Sequence, residues 1–252
     1  MIDVNSPLYP MINNLFEEDC LECMKRMPDA SIDMILCDLP YGMTQNQWDS
    51  YIPLDLLWEQ YLRIIKPNGA IVLSSQGLFT AKLILSQPKY YKYKWIWEKS
   101  KPTNFLNAKK QPLRKHEDIC VFYKKLPTYN PQKTTGNKRK ISKVEHKVKC
   151  KETTNYGKYR LTSYDSTERF PTSVWTFAKD SQKCALHPTQ KPLSLMELLI
   201  KTYTNPGDLV LDNCAGSCST GVACRTTGRR FLGFEKEEKY FHIGSERLKE
   251  VE

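Results

Sequence analysis

Apolar residues in this chain alternate between two spacings. Ile32–Cys37 (IDMILC) is a short, nearly continuous apolar run of the kind found in strands buried on both faces, and the turn residues Asp38-Leu39-Pro40-Tyr41-Gly42 end it. Leu54–Ile65 then puts Leu54, Leu57, Trp58, Tyr61, Leu62 and Ile65 on one helical face, and Pro67-Asn68-Gly69 stops that helix. Ala70–Leu73 reads as a second strand and Gly77–Leu85 as a helix. Lys94–Trp97 and Ile119–Tyr123 read as strands rich in aromatic and β-branched residues. The alternation resumes after residue 183. Leu193–Tyr203 is a helix opened by Pro192 and closed before Pro206-Gly207; Asp208–Leu211 is a strand, Ser219–Thr227 a helix, Phe231–Phe234 a strand and Glu237–Leu248 an amphipathic helix. Such alternation predicts an α/β fold, a mostly parallel sheet with helices on both faces. Pro127–Lys183 has weak periodicity and predicts irregular structure or a small appended module.

Composition narrows the class. With 40% hydrophobic and 26% charged residues, the 252-residue chain reads as globular, and no run reaches the roughly 18 apolar residues of a membrane span. Met1–Pro10 lacks the basic start and apolar stretch of an export signal, so the nine cysteines are expected as reduced thiols in the cytoplasm. Net charge is +10, and it is unevenly spread. Residues 99–183 hold 21 Lys/Arg against 7 Asp/Glu, a net of +14, whereas the remainder carries −4. A segment this basic attracts a polyanion, because each cation that neutralises a phosphate releases counterions. Tyr123, Tyr129, Tyr156, Tyr159, Tyr164, Phe170 and Trp175 add surfaces on which bases can stack.

Two loops follow predicted strands, where ligands of open α/β sheets bind. Asp212-Asn213-Cys214-Ala215-Gly216-Ser217-Cys218-Ser219-Thr220-Gly221 runs from strand to helix, and its small residues let backbone N–H groups approach a ligand. It is not a P-loop, since no Gly-Lys-Ser/Thr follows. Glu235, 23 residues after Asp212 at the end of the next strand, suits the hydroxyls of a ribose. The second loop, Asp38-Leu39-Pro40-Tyr41, suits a flat base with an exocyclic amine. Asp38 and the Pro40 carbonyl can accept the two amine hydrogens, and Tyr41 can stack on the ring for roughly 1–3 kcal/mol. A strand-ending turn with Tyr41 in the core is the plainer alternative.

Asp38-Leu39-Pro40-Tyr41 resembles the Asp-Pro-Pro-Tyr motif of DNA amino-methyltransferases that use S-adenosylmethionine. Asp212–Thr220 resembles their Asp-Pro-Phe-x-Gly-Ser-Gly-Thr-Thr loop. His187-Pro188-Thr189-Gln190-Lys191-Pro192 and Asp19-Cys20-Leu21 are similar to segments of the β-class, and the order of the motifs is also that of the class. The resemblance implies a Rossmann-like S-adenosylmethionine-dependent methyltransferase fold. Residues 1–98 and 184–252 would form the catalytic domain and 99–183 a basic target-recognition region. It further implies N6 methylation of an adenine flipped out of double-stranded DNA. The implied catalytic residues are Asp38, Pro40 and Tyr41. The implied cofactor contacts are Asp19, Cys20, Asp38, Thr189, Lys191, Asp212, Ala215, Gly216, Ser217 and Glu235, with Lys191 meeting the methionine carboxylate. Arg114, Lys115, Lys138, Arg139, Lys140 and Lys143 are the expected DNA contacts. Small members of the class often pair, which suggests a homodimer, and a cognate restriction endonuclease is a further candidate partner; no segment here specifies either.

Three departures stand out. Leu39 replaces a proline whose contacts the motif does not need, and Asn213 replaces a second proline. Cys218 replaces a glycine and is expected to weaken cofactor binding if that backbone has positive φ. Cys20-x-x-Cys23 has zinc-like spacing without a second pair, so no metal is expected. None of the nine cysteines follows a proline, as the nucleophile of cytosine carbon-5 enzymes does. His116-Glu117 resembles a His-Glu pair of related adenine enzymes that helps position the target region. The alternatives are cytosine-N4 methylation, a catalytically silent DNA-binding relative, and RNA as substrate.

Overall fold

The computed structural model describes residues 8–41, 51–144, 162–178 and 190–251. Thr189, with His187 and Pro188, lies outside the described residues, as do Gly42, Tyr156 and Tyr159. The chain divides into two compact units, Met1–Asn130 with Ser173–Glu252, and Pro131–Thr172.

The larger unit is built on eight strands: β1 (Asn14–Glu17), β2 (Ile32–Cys37), β3 (Ile65–Ser75), β4 (Tyr91–Thr103), β5 (Arg114–Phe122), β8 (Val174–Phe177), β9 (Leu209–Asp212) and β10 (Arg230–Glu235). They form one sheet in the order β1-β10-β9-β2-β3-β5-β4-β8. Pairing is parallel from β1 to β3, antiparallel on both sides of β5, and parallel again between β4 and β8. The helices are α1 (Cys20–Lys25), α2 (Leu54–Ile64), α3 (Leu78–Ser86), α4 (Leu193–Tyr203), α5 (Ser219–Thr226) and α6 (Glu238–Lys249).

The period-2 alternation of strand side chains sorts the core into two layers. Ile35 and Cys37 of β2 pack with Leu57, Trp58 and Tyr61 of α2 and Phe79 and Leu83 of α3. Met34 and Leu36 pack on the other face with Leu195, Leu199 and Tyr203 of α4 and Leu248 of α6. Tyr203 ties α4 to the sheet: its hydroxyl accepts the Trp95 indole N–H at 2.6 Å and lies 2.8 Å from the Tyr93 hydroxyl.

Several boundaries differ from the sequence pattern. Helix α2 passes directly into β3, and Pro67-Asn68-Gly69 sits inside that strand. The register with β2 jumps there from Ile32↔Ile65 to Met34↔Ala70, so the turn residues are absorbed as an irregularity in the pairing. Strand β1 and helix α1 were not expected; they are short and lack a run long enough to show a period. The stretch predicted as irregular contributes β8 to the main sheet. Residues 99–122, within the basic segment, also supply much of β4 and β5.

In the smaller unit, β6 (Lys140–Ser142) pairs antiparallel with β7 (Tyr164–Ser166), and Thr134 bridges Arg169. Arg139 grips Asp165 with two nitrogens, and Lys133 pairs with Glu168 at 2.8 Å.

Strands β2 and β9 lie side by side, Ile35 opposite Leu211. The next strands run to opposite sides, β3 beyond β2 and β10 beyond β9. The loops after β2 and β9 therefore leave the same edge of the sheet and diverge, opening a crevice between them.

Candidate active site

A cavity of about 490 Å³ opens at that crevice. Its walls come from Asp38–Tyr41, the loop Asp212–Ser217 with the first residues of α5, the N-terminus of α1, and Glu235. Among the described residues, seven carboxylates line it against three basic groups, Arg114, Lys191 and Lys236. The cavity thus favours a cationic ligand even though the chain as a whole is basic.

Asp38 follows the last residue of β2. The Tyr41 hydroxyl donates to its Oδ1 at 2.7 Å, and the Lys191 ammonium donates to its Oδ2. The Tyr41 ring stacks on Phe79, with centroids 5.0 Å apart, and lines the cavity while half-buried. Leu39 is buried in the core layer against which Tyr41 also packs, so a leucine is accommodated where the resembled motif has a proline. Burial raises the Asp38 pKa above the usual carboxylate value; Lys191 opposes the rise and Glu117 adds to it.

Lys191 also lines the cavity, where two carboxylates hold it. It is 8% exposed, and its ammonium lies between Asp38 and Glu117, 3.2 Å from Glu117 Oε2. Burial works against that charge, but the two carboxylates hold the ammonium well above the usual lysine value. Glu117 Oε1 is paired in turn with Lys99 at 2.6 Å. Burial pushes Glu117 up, yet Lys191 and Lys99 together bring it down to about 2. Glu117 had a sequence signal in the His116-Glu117 pair. Lys99 had none, being one lysine among many in a basic stretch.

The loop after β9 is shaped by hydrogen bonds of its own. Asp212 is buried and accepts the Cys214 N–H at 3.2 Å. Asn213 accepts the hydroxyl of the buried Tyr61. Gly216 has φ +51° and donates its N–H to Glu235 at 2.7 Å, while Glu235 also accepts the Glu237 N–H at 2.9 Å. Both carboxylate oxygens keep further lone pairs for a ligand. Burial raises the Glu235 pKa against those two backbone bonds. Ser217 is buried beneath Arg247, which donates to its carbonyl and hydroxyl. Ala215 lines the cavity, its N–H bonded to the Phe234 carbonyl at 2.9 Å.

Asp19 caps α1, accepting the N–H groups of Leu21 and Glu22, and Cys20 follows it at the cavity wall. Cys20, Cys37 and Cys214 all line the cavity there.

Cys218 does adopt positive φ, +60°, but its side chain does not enter the cavity. It is fully buried in the core beside Ala223 and Phe231. Two glycines leave room for it: a Cβ on Gly221 would fall 2.5 Å from its Sγ, and one on Gly244 3.0 Å from its Cβ. The positive φ on which the expected weakening of cofactor binding turned is thus present, and the side chain is received from the core side.

The expected DNA contacts fall into two groups. Arg114 lines the cavity and donates to Gln76 at 3.3 Å, whereas Lys115 is bound to Glu98 at 2.8 Å. Lys138, Arg139, Lys140 and Lys143 are exposed on the smaller unit, with Arg139 engaged by Asp165.

Comparison with known proteins matches residues 32–246 to a family described as DNA methylase. The Type II methyltransferase M.HinfI of Haemophilus influenzae is 26% identical, over 95% of this chain and 69% of its own length. The DNA adenine methyltransferase YhdJ of Escherichia coli strain K12 is 27% identical, over 91% of this chain and 80% of its own. Among solved structures, the M1.HpyAVI–SAM complex aligns with a TM-score of 0.64 at 23% identity, covering 93% of this chain and 98% of that one. That likeness shows that the fold is the Rossmann-like one of such enzymes.

Two outcomes follow from the loop. Burial lifts the Asp212 carboxyl to about 7, against hydrogen bonds from Thr220, the Cys214 N–H and Cys37. An unfolded aspartate titrates near ~3.9, so between about pH 4 and 7 the folded chain keeps a proton the unfolded chain has released. Stability should therefore fall as pH rises through that window, and Asp212→Asn should lose less than wild type between about pH 5 and 8 in urea denaturation. Equal losses would refute the assignment. For Cys218→Gly, calorimetric titration with S-adenosylmethionine should give an affinity within about twofold of wild type. A large gain would show that the cysteine does obstruct the loop.

Proposed function

The chain belongs to the DNA methylase family, and from that premise we propose that it is a site-specific DNA adenine methyltransferase, moving a methyl group from S-adenosylmethionine to the N6 amino group of an adenine flipped out of the duplex. The observation that carries the proposal is that Asp38 and Tyr41 share one cavity with the Asp212–Thr220 loop and Glu235. An amine-accepting carboxylate, a stacking ring and a nucleoside-binding wall are thus within reach of one another.

The cavity suits this cofactor chemically. Its volume lies in the range that holds cofactor-sized ligands. Its excess of carboxylates suits a sulfonium and an ammonium, and Glu235 has spare acceptor capacity for ribose hydroxyls. Asp19, Cys20, Ala215, Gly216 and Ser217 complete the wall. When bound, S-adenosylmethionine supplies a methyl group on a good leaving group, so what the protein must provide is position and electrostatics.

Asp38 accepts one N–H of the target amine, in competition with the Tyr41 hydroxyl that occupies Oδ1. The Pro40 carbonyl accepts the other, and Tyr41, backed by Phe79, stacks on the ring. Engaging both hydrogens turns the nitrogen lone pair out of conjugation and toward the methyl carbon. The nitrogen–carbon bond forms as the carbon–sulfur bond breaks, the electron pair staying on sulfur, and the surplus amine proton passes to Asp38. Holding the two reactants in line supplies most of the rate.

Adenine is favoured over the amine of cytosine because the motif opens with Asp38, where cytosine-N4 relatives more often have serine, and because the relative YhdJ is named as an adenine enzyme. The exposed cations Lys138, Arg139, Lys140 and Lys143, with Arg114 at the cavity, would meet DNA phosphates. Residues 99–183 would thus include the target-recognition region. M.HinfI's name as a Type II methyltransferase supports a restriction-modification setting with a cognate endonuclease. No helix among the described residues is long and apolar enough to cross a membrane, and we place the enzyme with DNA in the cytoplasm.

Asp38→Asn keeps the shape of the side chain while removing its charge. It should bind S-adenosylmethionine much as wild type does and lose at least about a hundredfold in kcat. Equilibrium dialysis and a tritiated-methyl transfer assay would separate the two effects. Transfer at the wild-type rate would remove Asp38 from the chemistry.

A further inference from the structure

Behind Asp38 the structure holds a line of four buried or half-buried charges: Asp38, Lys191, Glu117 and Lys99. They alternate in sign and sum to zero. Lys99 is 3% exposed and also lies over the Trp97 ring, 5.6 Å from its centroid. Asp38, Lys191 and Glu117 line the cavity, and Lys99 lies behind them. A fold gains little from such an arrangement, because apolar side chains of similar volume commonly replace buried ion pairs without loss of stability. Its placement at one reacting carboxylate calls for another account.

We propose that Glu117 and Lys99 are positioning residues for methyl transfer: they fix where the Lys191 ammonium sits against Asp38, and so orient the carboxylate that receives the target amine. The proposal rests on the amine-accepting role of Asp38 given above.

Rigidity supports it. Glu117 is on β5, opposite Trp97 of β4, and Lys99 is two residues further along β4; both strands lie within the sheet. Lys191 precedes α4 on a long, flexible stem. An ammonium on such a stem has no fixed position unless rigid elements supply partners, and Glu117 does so. Charge supports it too. Facing Asp38 alone, Lys191 would neutralise the carboxylate and compete with the amine for its lone pairs. Glu117 takes a share of that positive charge, and Lys191 and Lys99 together keep Glu117 ionised although it is buried. The other ionisable groups that act on or against Asp38 are Tyr41 on its own loop, Cys37 before it and Asp212 at the end of β9.

The test is to titrate Asp38 by carbon-13 NMR in the ligand-free folded protein, and to measure kcat against pH, for wild type, Glu117→Gln and Lys99→Met. Glu117 raises the Asp38 pKa, so Glu117→Gln should move the Asp38 midpoint, and the acid limb of kcat with it, to lower pH. Its kcat should fall between about ten- and a hundredfold with little change in cofactor affinity. Glu117→Asp, which keeps the charge, should recover part of the loss. Lys99→Met, which frees Glu117 to draw Lys191 away, should move the Asp38 midpoint upward. It carries the test by itself if Glu117→Gln does not fold. An unmoved Asp38 midpoint in a folded variant, or wild-type kcat at every pH in Glu117→Gln, would overturn the proposal. If wild type transferred no methyl group, the proposed function would fail, and the NMR titration would still decide whether the line of charges governs Asp38.

Discussion

The ion pair between Asp38 and Lys191 joins residues 153 positions apart in the chain. It fastens the end of β2 to the start of α4, and the wall between those elements is one side of the cavity. An ammonium and a carboxylate taken out of water each carry a desolvation cost of several kcal/mol, which only close and well-partnered geometry offsets. Here the offset comes from a third and a fourth charge. The position of the Asp38 carboxylate therefore depends on residues in four separate stretches of the chain, and the interaction exists only once the whole sheet is assembled.

The sheet makes that assembly possible through its topology. Because β2 and β9 run parallel as neighbours and their successors depart to opposite sides, the topology itself brings the motif loops together. Glycine and burial then adjust the details. Gly216 turns at positive φ to place its N–H on Glu235, and the space over Gly221 and Gly244 receives the side chain of Cys218. A residue that looks like damage to the cofactor loop is accommodated from the core side.

Much of this was legible in the residues themselves. Leu193–Tyr203 was bounded to the residue, because Pro192 at its start and a polar end bracket a clear helical period. The loops after β2 and β9 were placed because short apolar runs ending in small or turn residues are specific signals. Pro67-Asn68-Gly69 misled, since a turn signal cannot tell a chain reversal from an irregularity inside a strand. The partners of Lys191 were hidden for a different reason. Its motif suggested a cofactor contact, whereas Glu117 and Lys99 reach it only through the antiparallel pairing of β4 with β5, and no local spacing encodes that pairing. Cys218 shows the same limit, as its neighbours Gly221 and Gly244 are close in space but divided between two helices.

The central claim is that this cavity methylates the amine of adenine in DNA. The most direct measurement is to incubate the purified protein with unmethylated plasmid and S-adenosylmethionine, digest the DNA to nucleosides, and quantify the modified bases by mass spectrometry. The account predicts N6-methyldeoxyadenosine as the product. N4-methyldeoxycytidine in its place would keep the chemistry and contradict the base, and no modified nucleoside from a protein that binds S-adenosylmethionine would contradict the account itself.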